Sequence, residues 1–251
     1  MEIIFLRHGQ STENMAVDNN LHYDENNIVL TERGELQCIE TGKYLKKIYN
    51  KFDLIIQSPV KRCTQTASLV NDQIKCTKKI ITDKRLTEMG NKDKLIGLPQ
   101  EKRGSYLKSN TKYYSLIEKI QKEENPFKFT KLMYKANIMG TKLIGSDPDW
   151  TTHYENIKSF LNDLKKYEGE HKRILVISHG GTMKAIESII TNIPRDSNIK
   201  IMSRLQTVLV KEPVSIIETN NCIIMCVLYE DNCYKMVSPA NNLHLLDFSK
   251  S

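Results

Sequence analysis

A chain of 251 residues with 39% hydrophobic and 27% charged residues can bury one large core, or one core carrying an inserted lobe, and this composition excludes disorder throughout. The 37 basic residues exceed the 30 acidic ones to give +7, but the lysines are scattered (Lys43, Lys46, Lys47 and Lys51; Lys75, Lys78 and Lys79) without a compact basic run interleaved with aromatics. Small acidic molecules are therefore mildly favoured as partners, and no nucleic acid is expected.

Glu2-Ile3-Ile4-Phe5-Leu6 reads as a short buried strand that delivers Arg7-His8-Gly9-Gln10-Ser11-Thr12-Glu13-Asn14 to its C-terminal end, where open α/β sheets bind ligands. A permanent cation, an imidazole, a flexible glycine and short polar side chains can hold an anion beside a nucleophile. The apolar stretch is five residues long and meets Arg7-His8, too short for a signal-peptide core, and no window reaches eighteen apolar residues, so neither a leader nor a membrane span is expected. Residues 15–29 are polar and Asn-rich, a loop by pattern. Thr31 is placed to cap a helix running to about Tyr49, with Leu36, Ile39, Leu45 and Ile48 on one face. Asp53 to Gln57 is a second strand, ending in Ser58-Pro59, and a helix follows with Val60 near its start and Ala67, Leu69 and Val70 in later turns.

Ile80-Ile81-Thr82 is a third candidate strand, leading into Leu86-Thr87-Glu88. From residue 91 to 150 the pattern becomes Lys-rich: Tyr106, Tyr113, Tyr114, Leu116, Ile117 and Ile120 suggest one helix, Pro126 breaks it, and Phe127 to Ile138 suggests another. Because α/β pattern resumes afterwards, residues 91–150 are expected to form a cap inserted in a single domain spanning 1–251. Gly145 to Pro148 reads as a loop, and a helix from about Thr152 through Leu164 presents Ile157, Phe160, Leu161 and Leu164. Arg173 to Ser178 is near-continuously apolar, as a central parallel strand should be, and runs into His179-Gly180-Gly181 and a helix with Met183, Ala185, Ile186, Ile189 and Ile190. Three more β-like runs follow, Val214 to Ile217, Ile223 to Tyr229 and Tyr234 to Val237. Asp231-Asn232 forms the hairpin turn between the last two, and a polar tail from Ser238 lies on the surface.

Cys38, Cys63, Cys76, Cys222, Cys226 and Cys233 form no CxxC pair and read as reduced thiols, which points to the cytoplasm and away from a zinc site. They are expected to pack rather than react.

Arg7-His8, Ser58 with Arg62, and His179-Gly180 each follow a strand, and in a parallel sheet such ends converge on one edge. Leu6 to Asn14 resembles the RHGx[ST]xxN signature of the histidine phosphatase superfamily, the phosphoglycerate-mutase-like proteins. Leu30 to Gly34 with Gln37, Ser58 to Ala67, Leu86-Thr87-Glu88 and Val176 to Gly181 follow in that family's order, and Asn221-Cys222 with the strand after it is similar to the family's C-terminal strand. Pattern and resemblance together predict an α/β fold, a three-layer sandwich with a mostly parallel central sheet flanked by helices, plus the largely helical cap.

The resemblance implies a phosphohistidine mechanism. His8 would attack phosphorus, Arg7 and Arg62 would bind the phosphoryl oxygens, His179 would add a hydrogen bond to the developing charge, and Glu88 would protonate the leaving oxygen and then activate water. Ser11 and Asn14 would bind phosphate or orient the loop, and Gly180 would allow backbone approach. His22, His153, His171 and His244 read as surface or core residues. No metal and no cofactor is implied, and the oligomeric state is open, with a homodimer one option.

Cofactor-dependent mutases carry a longer signature after the acid, of the kind ERxYGxLxGLNK, where this chain has Glu88-Met89-Gly90-Asn91-Lys92-Asp93-Lys94-Leu95-Ile96-Gly97. The expectation is accordingly a phosphomonoesterase acting on a small phosphorylated metabolite. A phosphoglycerate mutase is the alternative, followed by a protein-directed phosphatase or a non-catalytic phospho-ligand-binding protein.

Overall fold

The computed structural model describes residues 1–74, 80–89, 95, 97–191, 221–241 and 245. Its strands are β1 (Glu2–Arg7), β2 (Leu54–Gln57), β3 (Ile80–Thr82), β4 (Arg173–Ser178), β5 (Ile224–Glu230) and β6 (Cys233–Asn241). They form one sheet in the order β3-β2-β4-β1-β5-β6, in which the first four strands are parallel, β5 pairs antiparallel with β1, and β6 pairs antiparallel with β5. Ile177 of β4 stands opposite both Leu6 of β1 and Gln57 of β2. That register brings the residues following all three strands to one edge.

Side-chain alternation along these strands splits the core into two layers. Ile3, Phe5, Leu54, Ile56, Ile174 and Val176 face α7 (Trp150–Leu164) and α8 (Gly180–Thr191), meeting Ile157, Phe160, Leu161, Leu164, Met183, Ala185 and Ile186. Ile4, Leu6, Ile55, Leu175 and Ile177 face α2 (Glu32–Tyr49) and α3 (Lys61–Ile74), meeting Cys38, Leu45, Cys63, Ala67, Val70 and Ile74. The predicted three-layer sandwich is the observed one, and the near-continuous apolarity of Arg173 to Ser178 has its cause in helices on both faces.

Several local expectations need correction. The loop expected over 15–29 begins as a helix, α1 (Thr12–Asp18), opened by a capping box in which Ser11 and Asn14 bond each other's backbone amides. On α2 the buried face is Gly34, Gln37, Cys38, Thr41, Gly42 and Leu45, whereas Leu36 and Ile48 are exposed. Small side chains let α2 lie close to α3, so proximity rather than apolarity chose the face. The single helix expected through Tyr106 to Ile120 is two, α4 (Gln100–Ser109) and α5 (Thr111–Lys122), because Asn110 accepts the Tyr113 amide at 3.0 Å and caps the second. Pro126 opens α6 (Pro126–Ile144) instead of merely ending a helix, since its missing N–H costs nothing at a first turn.

Asp231 and Asn232, at φ 53° and 58°, make the expected hairpin turn. The strand after them continues through Asn241, and Leu245 is buried against the α2–α3 layer, so Ser238 to Asn241 and Leu245 do not form the expected surface tail. Backbone pairing along β5 recruits residues there that carry no apolar pattern. The run Val214 to Ile217, Cys76 and His244 lie outside the described residues. Among the described residues no helix is long and apolar enough to cross a membrane.

Candidate active site

The turn after β1 is held from three sides. His8 N donates to Ser178 O at 3.0 Å, and Cys222 N donates to His8 O at 3.2 Å. Gly9 N donates to Thr66 Oγ1 at 3.2 Å, while Gln10 N donates to Gln37 Oε1 at 2.9 Å. Glycine is required here on both sides of a close approach. A Cβ on Gly9 would stand 2.7 Å from Cys38 Sγ and run into the Gly34 carbonyl, and a Cβ on Gly34 would run into the Gln10 carbonyl oxygen.

This turn places His8, buried, with its ring centroid 5.2 Å from that of His179, also buried. His8 Nδ1 lies 2.7 Å from Gly9 O. A carbonyl only accepts, so Nδ1 carries the proton and Nε2 keeps a lone pair. Burial first, then the Arg62 and Arg7 charges, holds His8 well below its ordinary pKa of 6.5. Burial, Arg62, His8 and Arg7 do the same to His179. A neutral imidazole beside two guanidinium groups keeps a lone pair within a cationic pocket.

His179 is fixed at both ring nitrogens. Arg62 Nη2 donates to Nδ1 at 3.3 Å, and Nε2 stands 2.9 Å from Ser58 Oγ. Arg62 is buried in the first turn of α3 and pairs with Glu13 at 3.2 Å, and Glu13 in turn accepts the Tyr23 hydroxyl at 3.0 Å. Desolvation lowers the pKa of the buried Arg7 guanidinium, and the nearby Glu88 charge opposes that shift. The Glu88 carboxylate accepts Gly181 N at 2.8 Å and Met89 N at 3.0 Å, which locks it against the first turn of α8. Ser178 Oγ donates to Leu86 O at 2.8 Å and so ties the end of β4 to the turn that carries Glu88. Burial pushes the Cys63 thiol up to about 12, which agrees with a packing role.

Residues 3–115 match the model described as the histidine phosphatase superfamily (branch 1). Over 220 residues the chain is 22% identical to the 2,3-bisphosphoglycerate-dependent phosphoglycerate mutase of Neisseria meningitidis serogroup C (strain 053442), covering 77% of this chain and 86% of that protein. Residues 3–115, which contain Arg7, His8, Arg62 and Glu88, are thus similar to the histidine phosphatase superfamily. The fold of the chain is shared by the phosphoglycerate mutase of Bacillus anthracis str. Sterne, with a TM-score of 0.62, 17% identity and coverage of 95% of this chain and 92% of that one. It is shared equally by the alpha-ribazole phosphatase of Shigella flexneri, with a TM-score of 0.61, 15% identity and 96% coverage of each chain. Solved proteins that share this fold thus include a mutase and a phosphatase.

Of the residues singled out in the sequence, Arg7, His8, Arg62 and His179 come together, with Glu88 and Gly180 alongside. A Cβ on Gly180 would stand 3.3 Å from Arg7 Nε, so this helix start lies directly against the guanidinium. Ser11 and Asn14 bond each other at the cap of α1. Ser58 was placed at the converging strand ends without a role of its own, and Glu13, Tyr23 and the Gly181 amide were not legible as site groups. Ser58 had a signal, its place directly after β2; Glu13 and Tyr23 act only through Arg62, a contact no local pattern encodes.

Proposed function

We propose that this protein is a phosphomonoesterase working through a phosphohistidine at His8 on a small phosphorylated metabolite. The observation that carries the reading is the buried His8, whose Nδ1 meets Gly9 O at 2.7 Å and so leaves the Nε2 lone pair available, in the field of the Arg62 and Arg7 charges. Entry of a phosphoryl dianion offsets the two guanidinium charges that keep His179 neutral. Arg62 then turns its N–H groups to the phosphoryl oxygens, and the vacated His179 Nδ1 takes a proton from solvent and donates to the same oxygens. His8 Nε2 attacks phosphorus, the P–O bond to the leaving group breaks, and Glu88, having taken up a proton from solvent, delivers it to the departing oxygen. Water next attacks the phosphohistidine, Glu88 accepts its proton, and the P–N bond breaks to release phosphate and regenerate neutral His8.

The chain lacks the ERxYGxLxGLNK-type stretch after Glu88, which supports hydrolysis over internal transfer. The mutase reading keeps one specific support, the activity named for the Neisseria relative. A release assay over sugar phosphates, phosphoglycerates, nucleotides and phosphopeptides, with and without added 2,3-bisphosphoglycerate, separates the readings. Phosphate release without the bisphosphate is expected. Isomerisation dependent on it would establish the mutase, and release from phosphopeptides alone would establish a protein-directed enzyme.

A further inference from the structure

The helices between the sheet-forming halves of the chain carry a feature that the phosphoryl site does not use. Helices α5 and α6 are joined by residues 123–125 and run back along one another, with Gly140 of α6 seated against the Tyr113 ring of α5. Between them lies an open groove of about 640 Å³. Its floor is apolar, made by Leu116 of α5 with Ile138, Met139 and Leu143 of α6. Lys112 and Lys119 edge it on one helix, Lys135 and Lys142 on the other. Both pairs are seven residues apart, two helical turns, which sets the ammonium groups of each row about 10 Å apart along the axis. Among the described residues, those lining the groove include four lysines and no carboxylate.

Three properties select the occupant. The groove is concave and as long as a few helical turns, so a flat bilayer would leave its floor uncovered. An apolar floor is wasted on a phosphate backbone, whose affinity comes from the charges alone. An open trough buries too little of a small metabolite for tight binding, whereas it matches a third helix lying parallel to the first two. We propose that the α5–α6 groove is the docking surface for an acidic amphipathic helix of a partner protein. Its apolar stripe would cover Leu116, Ile138, Met139 and Leu143. Glu or Asp side chains spaced seven apart on each flank of that stripe would meet the two lysine rows.

The test uses the full-length protein and a fluorescein-labelled helical peptide of about five turns, with one leucine stripe flanked by glutamates at i and i+7, read by anisotropy. Saturable binding is expected. It should weaken at least about tenfold in the charge-reversed variant carrying K112E, K119E, K135E and K142E, and progressively with added salt. The corresponding Lys→Gln variant, which adds no repulsion, should fall between the two while keeping the parent's circular dichroism and thermal midpoint. A peptide with lysines in place of the glutamates should not bind. Hydrolysis of an aryl phosphate should be unchanged in both variants. Absence of saturable binding, or binding that survives all four reversals, would overturn the proposal. So would charge-sensitive binding to phosphatidylserine vesicles without binding to the peptide, which would make the groove a membrane contact instead.

Discussion

Ser58 and His179, 121 positions apart in sequence, meet at 2.9 Å in the buried floor of the site. Arg62 can only donate, so the His179 Nδ1 facing it accepts, and the Nε2 proton goes to the Ser58 hydroxyl. Arg62 therefore fixes the tautomer of His179, and Ser58 holds the ring angle. Replacing Ser58 with alanine strands a buried N–H, a loss of about 1–3 kcal/mol, and frees the ring to tilt. Ser58→Ala should lower kcat on the order of ten- to a hundredfold with little change in KM. Steady-state kinetics on nitrophenyl phosphate check this, and an unchanged kcat would remove Ser58 from the machinery.

The two buried imidazoles also predict how acid acts. In the unfolded chain each titrates near its ordinary value of about 6.5, whereas in the native protein both are held well below it by burial and by Arg62. Below about pH 6.5 the unfolded state binds protons that the native state refuses, so stability is intact above that pH and falls as pH drops through the window beneath it. The slope should approach about 1.4 kcal/mol per pH unit for each histidine until the native groups titrate. Urea unfolding between about pH 7.5 and 5.5 should show a shallower dependence in His8→Gln than in the parent. Identical slopes would mean that His8 is not held neutral. The acid limb of kcat/KM should likewise fall below 6.5, since His8 keeps its lone pair there.

The turn itself should be intolerant of a single methyl group. Gly34→Ala drives a Cβ into the Gln10 carbonyl, a backbone atom that cannot rotate away. A loss of about 1–3 kcal/mol in urea unfolding is expected, together with lost activity as the His8 turn shifts. Gly104 in α4 is the internal contrast, with nothing within 4 Å of an added Cβ. Gly104→Ala should be neutral or stabilising by up to about 1 kcal/mol. A tolerated Gly34→Ala would show that the α2 start can retreat from the loop.

These residues also mark how far sequence reading reaches. Arg7, His8, Arg62 and His179 were legible because each directly follows a strand or opens the helix after one, and a parallel sheet must bring such positions to a common edge. The start of α1 was missed although Ser11 and Asn14 spell a capping box, because polar composition outweighed the cap. The face of α2 was misread because Leu36 and Ile48 satisfy helical spacing yet point to solvent, while Gly34, Cys38, Thr41 and Gly42 are buried by the nearness of the His8 turn and α3. The Glu13–Arg62 pair, and the Ser58–His179 bond, depend on three-dimensional neighbours that no periodicity records.

Glu88 is the group whose proposed role is most open to a chemical test. Its carboxylate is gripped by the Gly181 and Met89 amides, so it sits at a set position beside α8 and Arg7, whatever the substrate. If it supplies the proton to the leaving oxygen, its removal should matter in proportion to the basicity of that oxygen. Glu88→Gln keeps one acceptor oxygen for the amides but cannot transfer a proton. Alkyl phosphates should then lose on the order of 10²–10⁴ in kcat/KM, while nitrophenyl phosphate, whose phenolate needs little protonation, should lose about tenfold or less. Parallel losses on both substrates would mean that Glu88 acts by holding Gly181 and the start of α8 in place. The acid would then have to be sought elsewhere on the rim of the His8 pocket.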